Sequence, residues 1–88
     1  KEAFSSLYYM NVRMSKEELF KTVEKLMNDK ACGKIFRVKG FMKISDSQWL
    51  ELNATHDKIS ISPIAVGQEI IIVIGEELVE EEVNKYWK

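Results

Sequence analysis

The side chains able to do chemistry are few in this 88-residue chain. Cys32 is its only cysteine and His56 its only histidine. Two soft ligands are fewer than a structural zinc site uses, and these fall in different places, one at a predicted helix end and one in a predicted turn. The same pair, as nucleophile and base, lacks a third group to orient the base. Cys32 is therefore expected to be a small buried hydrophobe and His56 a turn residue. Glu76, Glu77, Glu80, Glu81 and Glu82 form an acidic cluster whose spacing is not that of a calcium loop, and a solvated helix face is the expectation. The four glycines are scattered and no Gly-rich loop ends in Gly-Lys-Ser/Thr, so the chain alone is not expected to hydrolyse a nucleotide. No catalytic, cofactor-binding or metal-binding residue is assigned, and the domain by itself is read as a non-enzyme.

A different chemistry lies in the run from Gly33 to Ile44. At period two, Phe36, Val38, Gly40, Met42 and Ile44 share one apolar face, while Arg37, Lys39 and Lys43 point the other way with Ile35 and Phe41. A strand with one apolar and one cationic face needs a covering layer on only one side. The other side is free to meet a partner. Arg37 and Lys39 suit acidic partner groups, or a solvated, salt-bridged face; Trp49, on a neighbouring strand, either covers this second face or meets a partner. Arg37, Lys39, Phe41 and Trp49 are the candidate partner-binding residues.

The remaining elements must position that strand. Phe4 to Met14 alternates, with Phe4, Ser6, Tyr8, Met10, Val12 and Met14 as the expected core face, leaving Tyr9 and Arg13 for the second face. Ser15-Lys16-Glu17-Glu18 spells a capping box that starts a helix. Leu19, Phe20, Val23, Leu26 and Met27 follow as its apolar stripe, and Asn28, Asp29 and Gly33 end it. Ser45-Asp46-Ser47 is a turn, and Trp49 to Thr55 a hairpin partner with Leu50, Leu52 and Ala54 inward. Ile59 to Ser62 alternates until Pro63, which predicts a short or edge strand. Glu69 to Gly75 is a continuous apolar run, expected in the middle of the sheet or buried on both sides. From Glu76 a closing helix is expected, with Leu78, Val79, Val83, Tyr86 and Trp87 on one face. The predicted fold is α+β: two layers, a mixed sheet of four to five strands with two helices on one face, in the order β-α-β-β-β-β-α. A crossover joining the first two strands in parallel should be right-handed and lay its helix over the apolar face.

Composition bounds the rest. Hydrophobic residues at 45% and charged residues at 31% describe an ordinary folded chain, and no apolar run approaches a membrane span. A single domain over residues 1–88 buries only about 60–65% of the surface of its unfolded chain, leaving little room for a deep active site. The net charge of −1 hides a balance of +5 over residues 1–44 and −6 over residues 45–88, and the acidic overall balance argues against a general polyanion binder. One cysteine and no signal-peptide pattern point to a soluble cytoplasmic protein.

Two resemblances bear on function. Lys39-Gly40-Phe41-Met42-Lys43-Ile44 partly resembles the ribonucleoprotein octamer of RNA-recognition motifs, but Lys43 falls where an apolar residue belongs, so an RNA-binding module is the alternative reading and nucleic acid is disfavoured. Gly33-Lys34-Ile35-Phe36-Arg37-Val38-Lys39-Gly40, with Ile71-Ile72-Val73-Ile74-Gly75-Glu76-Glu77-Leu78 and a short closing helix, resembles the C-terminal domain of CobW-type proteins over nearly the whole chain. The resemblance implies a piece of a longer chain, lacking its N-terminal P-loop GTPase domain, in a family linked to cobalamin synthesis or to delivery of zinc or cobalt. GTP and a divalent metal would then belong to the parent protein. This domain would be regulatory or adaptor-like, meeting the GTPase domain, a metalloprotein client or another copy of itself.

Overall fold

In the computed structural model, residues 4–87 are described. They form β1 (Phe4–Met10), α1 (Lys16–Met27), β2 (Lys34–Ser45), β3 (Gln48–Ala54), β4 (Ile59–Ile64), β5 (Ile70–Glu76) and α2 (Glu80–Asn84), with a single 3₁₀ turn at Lys30–Cys32. The expected α+β order is present. The five strands make one sheet in the spatial order β1-β5-β2-β3-β4. All four adjacent pairings are antiparallel, so the mixed character expected of the sheet reduces to β1 and β2 running parallel on either side of β5. Strands β2, β3 and β4 form a meander, and β5 returns beside β2 to close a Greek key.

Local chemistry builds α1 as its sequence suggests. The Ser15 hydroxyl accepts from the Glu18 amide at 3.1 Å while the Glu18 carboxylate accepts from the Ser15 amide at 3.0 Å. Leu19, Val23 and Leu26 are wholly buried, each contributing roughly 1.5–3 kcal/mol by leaving water. They close over Val38, Met42, Leu52, Ile71 and Val73 on the sheet, with Val83 of α2 in the same core. Phe20, grouped on sequence with the buried stripe, is 41% exposed and lies over the edge strand with Ile59 and Ile61.

Strand β1 presents the set opposite to the one expected. Leu7 and Tyr9 pack on the core, whereas Tyr8 and Met10 are each 62% exposed on the uncovered face. Both sets are apolar enough to be buried, and pairing decides between them. Leu7 lies opposite Val73 and Tyr9 opposite Ile71, the inward residues of β5. The Tyr9 hydroxyl then donates to Asn84 Oδ1 at 2.6 Å, and its ring stacks on Trp87 with centroids 5.7 Å apart. Asn11, at φ 57, resets the alternation, so Val12 turns into the core although it shares the parity of Met10.

A bulge does the same to β2. Ile35 lies opposite Gly75 and Arg37 opposite Ile74, leaving Phe36 as an extra residue. Ile35 is therefore buried and Phe36 turns outward against Phe4, reversing the faces expected for Ile35 and Phe36. Ile44, expected inward, is 48% exposed beyond a second irregularity between Lys43 and Ser45. Pro63 lies in β4 at the edge of the sheet, as its missing donor requires. The inner strand β5 is buried on its Ile71, Val73, Gly75 face and only half-buried at Ile70, Ile72 and Ile74. The closing helix begins later than expected: Glu76 ends β5, Glu77 takes φ 56, and Val79 is an exposed cap residue without a side-chain cap bond.

Candidate functional site

The sheet has both helices on one face, so its other face is the surface on which β2 displays its cations. With Val38, Gly40 and Met42 turned into the core, Arg37, Lys39, Phe41 and Lys43 must point outward. Pairing sets Lys39 opposite Asn53, Phe41 opposite Glu51, and Lys43 opposite Trp49. The Arg37 Nε donates to Asn53 Oδ1 at 3.1 Å, which aims the guanidinium along the sheet. Lys39 is exposed and has no ion-pair or hydrogen-bond partner among the described residues. Lys43 Nζ sits 5.9 Å from the centroid of the Trp49 ring and 3.9 Å from the Asp46 carboxylate.

Gly40 makes this arrangement possible. At φ 148, a Cβ there would collide with the carbonyl oxygen of Ile70, so only glycine lets β5 approach β2 at this level. The loop between β4 and β5 then passes across the outer face, and Gly67 lies against the Phe41 ring, where a Cβ would come within 2.7 Å. Phe41 is half-buried under it. An RNA reading asks for an open ring on which bases stack, and the loop covers this one. Arg37, Lys39 and Phe41 share a shallow hollow of about 380 Å³ with Glu51, Ile70 and Ile72, while Trp49 stands further along β3 beside Lys43.

The apolar half of this face was missed on sequence. Ile70, Ile72 and Ile74 run along β5 beside Tyr8 and Met10 of β1, and Phe36 joins them through its bulge. A signal was present: a strand apolar at every position, in a fold with helices on one side only, must leave one apolar row uncovered. Tyr9, assigned on sequence to this face, lies on the other one. Arg13 instead forms an ion pair with Glu69, partly exposed and worth at most about 1 kcal/mol.

The residues first considered for chemistry are engaged elsewhere. Cys32 is wholly buried, and burial, then the Asp29 carboxylate, pushes its thiol up to about 11, far from the thiolate a nucleophile needs. His56 Nε2 lies 2.6 Å from the Ile35 carbonyl, which can only accept, so this nitrogen carries the proton. Asp29 accepts from the Tyr86 hydroxyl at 2.6 Å; that bond, with one from the Ala31 amide, holds the carboxyl below its usual range, and the same bond lifts Tyr86 to about 12. The acidic residues are split between the end of β5 (Glu76), the connection (Glu77) and the first turn of α2 (Glu80, Glu81 and Glu82), and no group of three or more His, Cys, Asp or Glu is placed to hold a metal among the described residues. A larger hollow of about 790 Å³ lies between the helices, but its charges are mixed and its main groups, Glu82 with Lys85 and Asp29 with Tyr86, satisfy one another. Among the described residues no helix is long and apolar enough to cross a membrane.

Comparison with known proteins agrees with this architecture. The crystal structure of Zn(II)-bound YjiA GTPase from E. coli matches with a TM-score of 0.71 and 20% identity over 96% of this chain and 28% of that one. A Zn(II)-bound triple mutant of YjiA GTPase matches with a TM-score of 0.71, 21% identity and the same coverage. The chain thus spans little more than a quarter of the length of the GTPase chains it matches. No curated protein sequence matches it. The family described as the cobalamin synthesis protein cobW C-terminal domain matches residues 5–88, and the chain belongs to that family.

Proposed function

We propose that this chain is a non-catalytic interaction domain, residues 1–88, of a CobW-type P-loop GTPase concerned with cobalamin synthesis or with delivery of zinc or cobalt. Its task is to dock through the outer sheet face, onto the GTPase domain or onto a metalloprotein client. One observation carries this reading: a five-stranded sheet with helices on one face only, whose other face sets Ile74 beside Arg37 and Ile72 beside Lys39, with Lys43 further along β2 opposite Trp49. Apolar rows of this kind mark interaction surfaces, and their cationic neighbours select a partner bearing carboxylates. Arg37 and Lys39 supply the charge, Phe41 shapes the hollow under Gly67, and Trp49 extends the apolar contact beside Lys43. GTP and the divalent metal belong to the parent protein. The residues present here do not fit a metal, since Cys32 is buried and His56 is bonded to a backbone carbonyl, so no metal step is assigned to this domain.

The test is titration of this domain with a CobW-type P-loop GTPase domain, followed by calorimetry and by amide chemical shifts. Binding that shifts residues of β2, β3 and β5 on the outer face, and that weakens at least about tenfold in Arg37→Glu/Lys39→Glu, is the expected result. GTP incubated with this chain alone stays intact. Binding that maps to the α1–α2 face, or that ignores the double charge reversal, overturns the reading.

A further inference from the structure

The outer face of the sheet is not uniform. Over β1 and β5 it is apolar: Tyr8 and Met10 lie opposite Ile72 and Ile70, and both are 62% exposed. Phe36, turned outward by its bulge, stands at the Ile74 end of this strip. Strand β2 then sets Arg37 beside Ile74 and Lys39 beside Ile72, which gives the strip a cationic flank. Beyond β2 the face is polar, with Glu51 opposite Ser62 and Asn53 opposite Ser60, apart from Trp49 and Ile64 at one end. Tyr9 and Trp87 do not reach the strip, because they stack on each other on the core side, with the helices.

A row of side chains on a sheet face offers no backbone partners, so an extended segment laid there would leave its own amides unpaired, whereas a helix pairs its backbone within itself. The dimensions select one helix. The two apolar rows stand about 4.8 Å apart and Ile70 to Ile74 runs about 13–14 Å, a footprint for a single helix roughly 10–12 Å across; a second sheet would also lie over the polar half. We propose that this strip seats one amphipathic helix of a separate client protein, laid along β5 with its apolar stripe on Tyr8, Met10, Ile70 and Ile72 and with carboxylates along the flank that meets Arg37 and Lys39. This rests on the docking reading above and narrows it to one occupant. The charges are spaced for it: Arg37 and Lys39, two residues apart on a strand, are separated by about 6.6–6.8 Å, and helix residues four apart rise about 6 Å, so acidic residues at i and i+4 meet both cations. Arg37 gives its Nε to Asn53 Oδ1, which leaves both terminal amino groups of the guanidinium for a carboxylate. A contact of one helix buries on the order of a few hundred Å² per partner, below the roughly 800 Å² of a standard interface. It therefore suits a client that binds and leaves rather than a domain of the parent protein, with a dissociation constant on the order of tens of micromolar or weaker.

Two synthetic helical peptides of about eighteen residues test it, long enough to hold a helix in water. Both carry leucine along one stripe; the positions flanking the stripe are glutamate in one and lysine in the other. The glutamate peptide should bind at least about tenfold more tightly than the lysine peptide and shift the amides of Tyr8, Met10, Ile70 and Ile72 in the unmodified chain. In Arg37→Glu/Lys39→Glu the preference should reverse, an outcome that an unfolded variant could not give. Tyr8→Ser should weaken the glutamate peptide about fivefold or more, while Ser62→Ala, on the polar half, should leave it unchanged; far-ultraviolet circular dichroism checks that both variants fold. The glutamate peptide should also bind unchanged in the presence of a saturating CobW-type P-loop GTPase domain. If that domain displaces the peptide, the strip belongs to the parent protein and the client helix is overturned while the docking reading stands. A chain that binds neither peptide, one that binds both equally, or shifts confined to the α1–α2 face overturns it as well.

Discussion

Tyr86 and Asp29 show how much one hydrogen bond can do in a domain this small. They stand 57 residues apart in sequence, and their bond fastens the end of the chain to the turn that follows α1. The bond needs the carboxylate charged and the phenol neutral. Asp29 has its carboxyl lowered below 3.8 in the fold, so its contribution is present above that pH and is lost as pH falls through the lowered value. Tyr86 is raised from 10.0 to about 12, so its contribution is fully present below pH 10 and is lost as pH rises through about 12. Tyr86→Phe should therefore lower the melting temperature at neutral pH and flatten the remaining dependence at both ends. Melting curves recorded across pH check this; a variant that keeps the same slope in the acid range would show that other carboxylates carry it.

At the scale of elements, local signals and packing contribute unequally to the two helices. Helix α1 has its capping box, a twelve-residue length and a continuous buried stripe. Helix α2 has five residues, no side-chain cap and an exposed residue at its start, so it cannot persist on its own. It is held by Val83 in the core, by Asn84 on the Tyr9 hydroxyl, by Trp87 on the Tyr9 ring, and by the Val79 amide, which donates to the Cys32 carbonyl at 3.0 Å. Val83→Ala should cost about 1–3 kcal/mol in urea unfolding and should release the Tyr9 and Trp87 contact, seen as a change in tryptophan fluorescence. A loss below about 0.5 kcal/mol would mean that α2 is fastened elsewhere. The bulge at Phe36 belongs to the same scale. It reverses the faces of two neighbouring residues, and no alternation read along the chain could announce it, because it exists only in the pairing of β2 with β5.

The whole molecule is a sheet with two unlike faces, and adjacent residues of β5 can separate them. Val73 is wholly buried beneath the helices, whereas Ile72 points to the uncovered side. Val73→Thr buries a hydroxyl without a partner and should destabilise the domain by about 1–3 kcal/mol. Ile72→Thr should cost under about 1 kcal/mol in the isolated chain and show its main effect on partner binding. Paired unfolding curves of the two variants check this, and equal losses would mean that the outer face is closed within the domain. The charge asymmetry between the two halves of the sequence resolves at this scale too: β2 brings Arg37, Lys39 and Lys43 to one face, while Glu80, Glu81 and Glu82 sit at α2 on the other side of the sheet.

Much of this was legible from the residues alone. The capping box, the period of α1, the outward alternation of Arg37, Lys39 and Lys43, the edge position signalled by Pro63 and the β-α-β-β-β-β-α order all rest on short-range geometry, which a chain carries with it wherever it folds. The turned faces of β1, the bulge at Phe36, the late start of α2 and the cover that Gly67 lays over Phe41 were decided only in the tertiary structure. In each of these the local sequence permitted two answers of similar energy, and a contact with a residue distant in sequence chose between them: Ile71 and Val73 for β1, Gly75 for the bulge, Cys32 for the start of α2, and the β4–β5 crossing for Phe41.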